Sequence, residues 1–545
     1  MNTMDLTTKL DRVADVVART LRNHGVTEAF GMPGGEVVTL IDGLVTAGIH
    51  FHLARHETAA AIMAAGASVI SGRPQLLVTT VGPGLANAVN GIADAAQEHV
   101  PLIVISGIVD RPTRARYTHQ VIDHAQMLRP LVKASFEIEP ESAASTIARA
   151  LAIACTHPMG PVHLDLSPAS AAMASGKQKA IAPPTVLHPR ISASDPAIDA
   201  LRNRIHRAER PIIIAGFEAA RSGVETELSV LAEKIGAPVI TTYKAKGLIS
   251  EDHPLALGGA GLSPRADAML LPLINDADLV LAIGYDPIEM RLGWLDFVND
   301  TEKLVEITST PADHAMHHPA TRIIADIRSY LGALNETLST RNTWANAEPQ
   351  RLRAELASAF ATPDAWGPHA IVDALQAQAG ADAIITVDSG AHRILLSQKW
   401  IAKRPLTLLQ SAGFCTMAAA LPLAIGVAAV APGKRVFAVM GDGGLEMGIG
   451  ELATLRDLGL PITIVLFQDE SLALIALKQA SAQLASEGVK LGKTDFAAVA
   501  QGFGGNGINV ETRHELRDAL AATTARDGFS LICCRFDARA YDGAF

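Results

Sequence analysis

Residues 435–469 read RVFAVMGDGGLEMGIGELATLRDLGLPITIVLFQD, and their pattern is the strongest evidence in the sequence for its fold. Arg435–Met440 and Ile462–Phe467 are short runs rich in apolar and β-branched residues, and the segment between them, about Glu446–Leu458, has the composition and length of a helix. Short apolar strands that alternate with longer helical segments are typical of βαβ units, in which neighbouring strands run parallel. The stretch therefore predicts a parallel sheet with helices packed against it.

The same alternation extends over most of the chain, which at 545 residues is too long for a single hydrophobic core. We predict an α/β protein with three doubly wound parallel-sheet domains, at residues 1–182, 197–338 and 355–545. The proline-rich segment Ser175–Pro196 and the polar segment Ser339–Gln350 are the predicted linkers. Further predicted strands are Gln75–Val81, Pro101–Ser106, Pro211–Ala215, Pro238–Thr242, Leu279–Ile283, Ala383–Val387 and Ser530–Cys534.

The composition argues against several functional classes. The net charge is −10, from 46 basic and 56 acidic residues, which is the opposite of the balance that nucleic-acid binding requires. The four cysteines include no CxxC pair, so we expect reduced thiols rather than disulfides or a zinc site. No run approaches the ~20 apolar residues of a membrane span, and the N-terminus does not resemble a signal peptide. We expect a soluble, cytoplasmic protein that acts on small molecules and binds neither nucleic acid nor membranes.

Acidic residues and glycines follow both strands of the quoted stretch, at Gly441–Gly444 and at Gln468–Ser471. Ligands of parallel sheets bind at the carboxyl ends of the strands. A phosphate-bound Mg²⁺ usually takes one or two protein carboxylates, so we predict Asp442 and Asp469 as metal ligands, with a backbone carbonyl near Ser471 as a third. Alone, the first segment is equally well explained as a strand-terminal turn. The predicted phosphate-contacting residues are Gly441, Gly443, Gly444 and Ser471.

The quoted stretch resembles the signature of thiamine diphosphate enzymes, in which GDG is followed about two dozen residues later by an Asn pair. Here Gln468-Asp469 replaces that pair, and Asp469 falls at the metal-ligand position. Three stretches of the first block, FGMPGGEVVTLIDGL, RHETAAAIMAAGAS and TTVGPGLANAVNGIADA, resemble the pyrimidine-binding domain of the acetolactate synthases. The resemblance extends over about residues 12–537 and is closest to the catabolic, FAD-independent enzymes. It implies thiamine diphosphate and Mg²⁺ as cofactors, without FAD, and pyrimidine-binding, central and diphosphate-binding domains in that order.

The resemblance also implies the catalytic residues. Glu57 matches the carboxylate that faces N1′ of the aminopyrimidine and stabilises the tautomer that removes the C2 proton. Alone, Glu57 would more often be a carboxylate at a helix start. In this family that Glu reaches a cofactor whose diphosphate lies on another subunit, which implies a homodimer or homotetramer with active sites at the subunit interface. Gln120, in Thr118-His119-Gln120, matches a residue close to the thiazolium.

Two further segments match cofactor-contacting parts of the family. In Val387–His392, Gly390 and His392 match residues that touch the diphosphate, although an exposed turn histidine is the alternative. In LTLLQSAGFCTMAAA, residues 406–420, Met417 matches the bulky side chain that bends the cofactor, and the carbonyl of Cys415 matches the acceptor for its 4′-amino group. Without the resemblance, Met417 would be interpreted as a core residue of an alanine-rich helix.

The implied reaction is decarboxylation of pyruvate, or another 2-oxo acid, followed by addition of the enamine to a second 2-oxo acid. Candidate substrate-binding residues, besides Gln120, are Gly35, Lys133 and Ile475, although a lysine such as Lys133 is more often a solvated surface residue. Ile475–Gln479 replaces the Arg-Gln-Trp of the biosynthetic enzymes, and Cys415 stands where the catabolic enzymes tend to have Gln.

These departures leave the acceptor open. A related 2-oxo acid decarboxylase, or a carboligase with another acceptor such as a carboxyethylarginine synthase, has the same motifs. A flavin-dependent pyruvate oxidase is less favoured because the central block has no evident flavin fingerprint. A non-catalytic binder is less favoured because Glu57, Asp442 and Asp469 are all present.

Overall fold

The computed structural model describes residues 11–184, 191–311, 316–523 and 528–545. Over these ranges the strands form three six-stranded sheets. Every strand pair in them is parallel. The predicted fold class is therefore confirmed. The predicted linker residue Pro189 lies outside the described residues.

The first sheet has the strand order β2-β1-β3-β4-β6-β5, and its central strands are buried throughout, as expected for a parallel sheet that is covered on both faces. Its strands are β1 Glu28–Gly31, β2 His50–Leu53, β3 Gln75–Thr79, β4 Leu102–Gly107, β5 Ser135–Glu137 and β6 Val162–Leu166. The associated helices are α1 Val13–Asn23, α2 Val38–Thr46, α3 Glu57–Ser71, α4 Pro83–Gln97, α5 Arg111–Arg114, α6 His124–Leu128, α7 Ala143–Cys155 and α8 Pro168–Ala172.

The second sheet has the strand order β12-β11-β10-β7-β8-β9. Its strands are β7 Pro211–Ala215, β8 Val239–Thr242, β9 Ala256–Ala260, β10 Leu279–Ile283, β11 Leu304–Thr308 and β12 Thr321–Ile324. Its helices are α9 Pro196–Arg207, α10 Phe217–Arg221, α11 Glu225–Ile235, α12 Pro264–Asp276 and α13 Ile327–Thr337. Pro196, predicted to end a linker, is instead the first residue of α9, where its missing amide proton costs nothing and Asp195 caps the helix.

The third sheet has the strand order β14-β13-β15-β16-β18-β17. Its strands are β13 Ile384–Val387, β14 Leu408–Gln410, β15 Val436–Gly441, β16 Thr463–Gln468, β17 Asn506–Val510 and β18 Ser530–Arg535. The helices of this part of the chain are α14 Glu348–Ala359, α15 Pro368–Ala379, α16 Ala391–Lys399, α17 Ala420–Val430, α18 Asp442–Gly448, α19 Glu451–Leu458, α20 Ala473–Ser481, α21 Phe496–Gly502 and α22 Arg513–Thr523. Residue 355, the predicted domain start, falls inside α14, and the domain boundaries stay predictions.

Contacts divide the chain into two compact units. The first consists of Met1–Val186, Ile425–Pro432 and Ala453–Leu458, and it contains the first sheet. The second consists of Leu187–Ala424, Gly433–Leu452 and Gly459–Phe545. It contains the other two sheets, whose interiors join in one hydrophobic core. Among the described helices, none combines the length and the apolar character that a membrane crossing needs.

Candidate active site

Two acidic residues meet at the carboxyl ends of adjacent strands in the second unit. Asp442 begins α18 directly after β15, and Asp469 follows β16, which pairs with β15. One carboxylate oxygen of Asp442, Oδ2, accepts hydrogen bonds from the amides of Glu470 at 2.7 Å and Asp469 at 3.2 Å. The two strand ends are thereby tied together, as expected of residues that follow neighbouring parallel strands.

The surroundings of these carboxylates favour a cation. Asp442 is buried, and burial raises the pKa of its carboxyl although amides donate to it. Burial, and then the charge of Asp442, raises the pKa of Asp469 to about 8. Paired carboxylates of this kind are stabilised in their ionised form when a cation lies beside them. Because carboxylate oxygens are hard ligands of the type that Mg²⁺ prefers, this donor set fits the predicted metal.

The turn after β16 brings Ser471 close to the same carboxylates. Glu470 has a positive φ of 56°, and the amide of Ser471 donates to Oδ1 of Asp469 at 2.9 Å. Ser471 also pairs with Lys490 in an isolated antiparallel bridge. The hydrogen bonds of that bridge run from Leu472 to Val489 and from Leu491 to Glu470, so they do not involve the Ser471 carbonyl predicted as a metal ligand.

The helix predicted over about Glu446–Leu458 is two helices, α18 and α19, and the first begins earlier, at Asp442. Gly441 precedes it as the N-cap, so Gly443 and Gly444 lie in its first turn rather than in a loop. Gly448 is the last residue of α18 and Gly450 lies in the break between the two helices, where glycine disfavours helical structure. A Cβ on Gly444 would lie 2.1 Å from Oδ2 of Asp388, so this glycine is needed for the close approach of that carboxylate.

His392 is buried beside the same strand ends rather than being an exposed turn residue. A Cβ on Gly390 would lie 2.5 Å from its Cε1, and one on Gly441 would lie 3.2 Å from it. The absence of side chains at both glycines therefore makes room for the imidazole ring. The Nε2 atom of His392 lies 2.9 Å from Oδ1 of Asp388.

Asp388 is a site residue that the sequence reasoning did not single out. It lies directly after β13 and is buried. Its Oδ2 accepts a hydrogen bond from the amide of Ala418 at 2.9 Å. It thus connects α16, α18 and the loop before α17. The sequence did contain a signal for Asp388. It is an acidic residue directly after β13, and because β13 pairs with β15, the two strands end at the same edge of the sheet.

Met417 lies in an irregular loop, because α17 begins only at Ala420, and the alternative of a core methionine on a helix is wrong. Cys415 and Ala418 have positive φ values of 54° and 63°, which no helix contains. The Cε of Met417 lies 3.5 Å from the position of a Cβ on Gly443, so the side chain reaches the first turn of α18. The amide of Cys415 donates to Oγ of Ser411 at 2.8 Å, which helps to fix this loop.

In the first unit, Glu57 begins α3 and is buried. Its Oε2 accepts a hydrogen bond from Nδ2 of Asn87 on α4 at 3.0 Å. A Cβ on Gly84 would lie 3.3 Å from its Oε1, so the small residue leaves room for the carboxylate. Sequence reasoning missed Asn87, because the approach of α3 to α4 that joins the pair is a tertiary contact.

The remaining candidates have different surroundings. Gln120 is exposed with a positive φ of 58°. Gly35 is exposed in a short 3₁₀ turn, and no atom of the described residues lies within 4 Å of where its Cβ would be. Ile475 is 43% exposed near the start of α20.

Lys133 makes structural contacts, and its role in substrate binding stays a prediction. Its Nζ donates to the carbonyls of Ile153 and Thr156 at the end of α7, at 2.6 and 2.5 Å, where a cation complements the helix dipole. Burial lowers the pKa of its ammonium.

The chain matches three family models of thiamine pyrophosphate enzymes: the N-terminal TPP binding domain at residues 11–127, the central domain at 198–334 and the C-terminal TPP binding domain at 388–534. It is 30% identical to the acetolactate synthase of Bacillus subtilis, over 96% of this chain and 92% of that protein. It is 28% identical to the catabolic acetolactate synthase of Raoultella terrigena, over 96% and 95%. It is also 30% identical to a probable 2-ketoarginine decarboxylase of Pseudomonas aeruginosa, over 95% and 92%. The chain therefore belongs to the thiamine diphosphate enzymes of the acetolactate synthase family.

Proposed function

We propose that this protein decarboxylates pyruvate, or a closely related 2-oxo acid, and joins the remaining two-carbon unit to a second 2-oxo acid. The observation that carries the proposal is the buried Glu57, whose carboxylate is held by Asn87. A protein that only binds thiamine diphosphate would need the metal-binding and diphosphate-binding residues alone. Activation of the cofactor requires, in addition, a buried and oriented carboxylate. The likeness to acetolactate synthases supports the same reaction class.

The cofactors of the proposal are thiamine diphosphate and Mg²⁺, without FAD. When bound, thiamine diphosphate would supply an electron sink for the decarboxylation of a 2-oxo acid. Asp442 and Asp469, with the carbonyl of Ser471, would hold the metal ion. Gly441, Gly443, Gly444, Gly390 and His392 would surround the diphosphate at the start of α18.

The other residues of the chain control protons and access. Glu57 would hold a proton toward the aminopyrimidine, and the Asn87 amide keeps the carboxylate in one orientation. The carbonyl of Cys415 would accept from the 4′-amino group, and Met417 would support the bent cofactor from the first turn of α18. Gln120, Gly35 and Ile475 are the candidates for contacts with the 2-oxo acid.

We propose at least a homodimer, or a homotetramer, and a cytoplasmic location. Some relatives are described as large subunits, which supports an oligomer. In the proposed dimer, Glu57 of one protomer serves the diphosphate site of its partner, as in the family.

A decarboxylase of another 2-oxo acid is the second candidate. The likeness to a probable 2-ketoarginine decarboxylase is of the same extent as that to the acetolactate synthases. Cys415 and Ile475, where the sequence departs from the synthases, are both on the proposed substrate side. A carboligase with another acceptor, like the carboxyethylarginine synthases, is compatible with the same residues.

The test is product analysis with thiamine diphosphate, Mg²⁺ and a panel of 2-oxo acids. We expect 2-acetolactate from pyruvate, with one CO₂ released per product. Acetaldehyde instead of acetolactate would favour the decarboxylase, and turnover of only a guanidino 2-oxo acid would identify another donor. The Glu57→Gln variant, incubated in parallel, should form none of these products.

A further inference from the structure

Three neighbouring strands of the first sheet end in a row of buried polar side chains. Thr79 lies opposite Ser106, and Ser106 lies opposite Asp165. Oγ1 of Thr79 donates to Oγ of Ser106 at 3.0 Å, and Nε2 of His163 lies 3.2 Å from the same oxygen. Burial alone would raise the pKa of the Asp165 carboxyl. Hydrogen bonds from His124 and then His163 outweigh the effect of burial, so this pKa is lowered. The row thus ends in a buried carboxylate that acts as an acceptor.

His124, at the start of α6, joins this carboxylate to the chain segment before α4. Its Nδ1 lies 2.7 Å from Oδ1 of Asp165, and its Nε2 accepts a hydrogen bond from the amide of Gly82 at 3.2 Å. An imidazole nitrogen that accepts carries no proton, so the proton of the neutral ring is on Nδ1 and is donated to Asp165. The two hydrogen bonds therefore define one tautomer.

Gly82 in turn supports Gln120. Both residues have positive φ values, 61° and 58°. A Cβ on Gly82 would lie 2.2 Å from the carbonyl oxygen of Gln120 and 3.2 Å from its Cβ, so the peptide of Gln120 rests directly on Gly82. Because the amide of Gly82 is held by His124, the position of Gln120 depends on that imidazole.

We infer that His124 and Asp165 are positioning residues that fix the Gly82 amide and, through it, the segment that carries Gln120. The catalytic part of this inference rests on the proposed function, in which Gln120 lies next to the substrate. The substrate class it concerns is the 2-oxo acid of that reaction. Neither His124 nor Asp165 needs to touch the substrate.

A metal ion is the competing explanation, since ligand atoms of His124, His163 and Asp165 lie within 4.8 Å of one another. Binding of a metal at Nδ1 of His124 would move the proton to Nε2, where it would face the amide proton of Gly82. The observed hydrogen bond from Gly82 therefore favours an imidazole that bridges Asp165 and Gly82 by hydrogen bonds over one that binds a metal ion.

Two substitutions of His124 separate its two hydrogen bonds. In His124→Asn the amide lies near the Nδ1 position, so the bond to Asp165 can persist while the Gly82 amide loses its acceptor. In His124→Gln the side chain reaches the Nε2 position and can still accept from Gly82. Asp165→Asn is a second route, because an amide at this position can reverse the tautomer of the histidine.

The first measurement is hydrogen–deuterium exchange of peptides covering residues 79–84 and 117–123 in the full-length protein, which needs no turnover. We expect exchange at 79–84 to be about five- to tenfold faster in His124→Asn, and close to wild type in His124→Gln. Unchanged exchange in both His124→Asn and Asp165→Asn overturns the inference. A stoichiometric metal in the purified protein that is lost in His124→Asn also overturns it.

The second measurement is the kinetics of the same variants on the 2-oxo acid that the wild type turns over. We expect kcat to fall about tenfold in His124→Asn, with KM changed less than threefold, and His124→Gln to recover most of it. Equal activity of the two variants overturns the catalytic part. If the wild type converts no 2-oxo acid while the exchange pattern holds, the proposed function fails and the positioning of Gly82 stands.

Discussion

The carboxylate of Asp388 occupies the space that a side chain on Gly444 would need, with only 2.1 Å between Oδ2 and the position of a Cβ. The same carboxylate holds His392 and the amide of Ala418. A change at Gly444 should therefore displace the loop with Met417 as well as α18. This contact makes glycine at this position a packing requirement of the proposed diphosphate site.

Gly444→Ala should destabilise the protein by about 1–3 kcal/mol and weaken thiamine diphosphate binding, because Asp388 must move. Gly448→Ala, on the same helix, is the matched control, since its Cβ would be 3.4 Å from that of Ala418. Thermal unfolding and tryptophan fluorescence titration with the cofactor compare the two. Equal effects of both substitutions would contradict the role of Asp388.

Removal of one proposed metal ligand, Asp442, should have a different effect from replacement of the other carboxylate, that of Asp469, by an amide. Asp442→Ala should weaken the apparent Mg²⁺ affinity by about 100-fold or more. Asp469→Asn, which keeps an oxygen ligand, should weaken it only severalfold. Glu446→Gln is the control, because Glu446 is on α18 but its carboxylate accepts from Thr494. Mg²⁺ titration of cofactor binding distinguishes them, and normal affinity in Asp442→Ala would disprove the site.

Asn87→Ala should slow activation of the cofactor without abolishing its binding. In this variant the Glu57 carboxylate would stay buried but would lose the hydrogen bond that Asn87 of α4 donates to it. We therefore expect C2 proton exchange to be about tenfold slower. Glu57→Gln should slow it far more. The rate at which the C2 proton exchanges with D₂O is measured by NMR on quenched samples. An Asn87→Ala rate equal to wild type would mean that Asn87 does not orient the carboxylate.

The sequence was sufficient for the parallel-sheet class, for nine of the eighteen described strands and for the meeting of Asp442 and Asp469, because buried β-branched runs define central strands and adjacent parallel strands end at one edge. It was not sufficient for Asn87 or Asp388, whose partners lie on other helices and depend on how closely those helices pack. Met417 shows the opposite limit: alanine-rich composition favours a helix, but tertiary contacts place the residue in a loop with positive φ values on either side of it.

Lys133→Met tests which of its two assigned roles is correct. The substitution keeps the aliphatic stem that packs near Gly160 but removes both hydrogen bonds to the end of α7. We expect a loss of about 1 kcal/mol in stability, measured by thermal unfolding, and a KM for pyruvate within about twofold of wild type. A large rise in KM with unchanged stability would support the substrate-binding role.

Glu289, buried in the central part of the second unit, should make stability depend on pH. Burial raises the pKa of its carboxyl from 4.5 to about 7, although Lys244 opposes the shift. Between these values the folded protein holds a proton that the unfolded chain has released, so the free energy of unfolding falls as pH rises through this window. Glu289→Gln removes this dependence, and its amide oxygen can still accept from the amide of Phe217.

The free energy of unfolding of Glu289→Gln, minus that of wild type, should therefore increase between pH 5 and pH 7 and level off near pH 8. The total increase should be up to about 3 kcal/mol. Differential scanning calorimetry at one scan rate measures it. Glu355→Gln is the control, because Glu355 is exposed on α14 and its replacement should leave the pH dependence unchanged. If wild type were the more stable protein above pH 7, the attraction of the Glu289 carboxylate to Lys244 would outweigh the effect of burial.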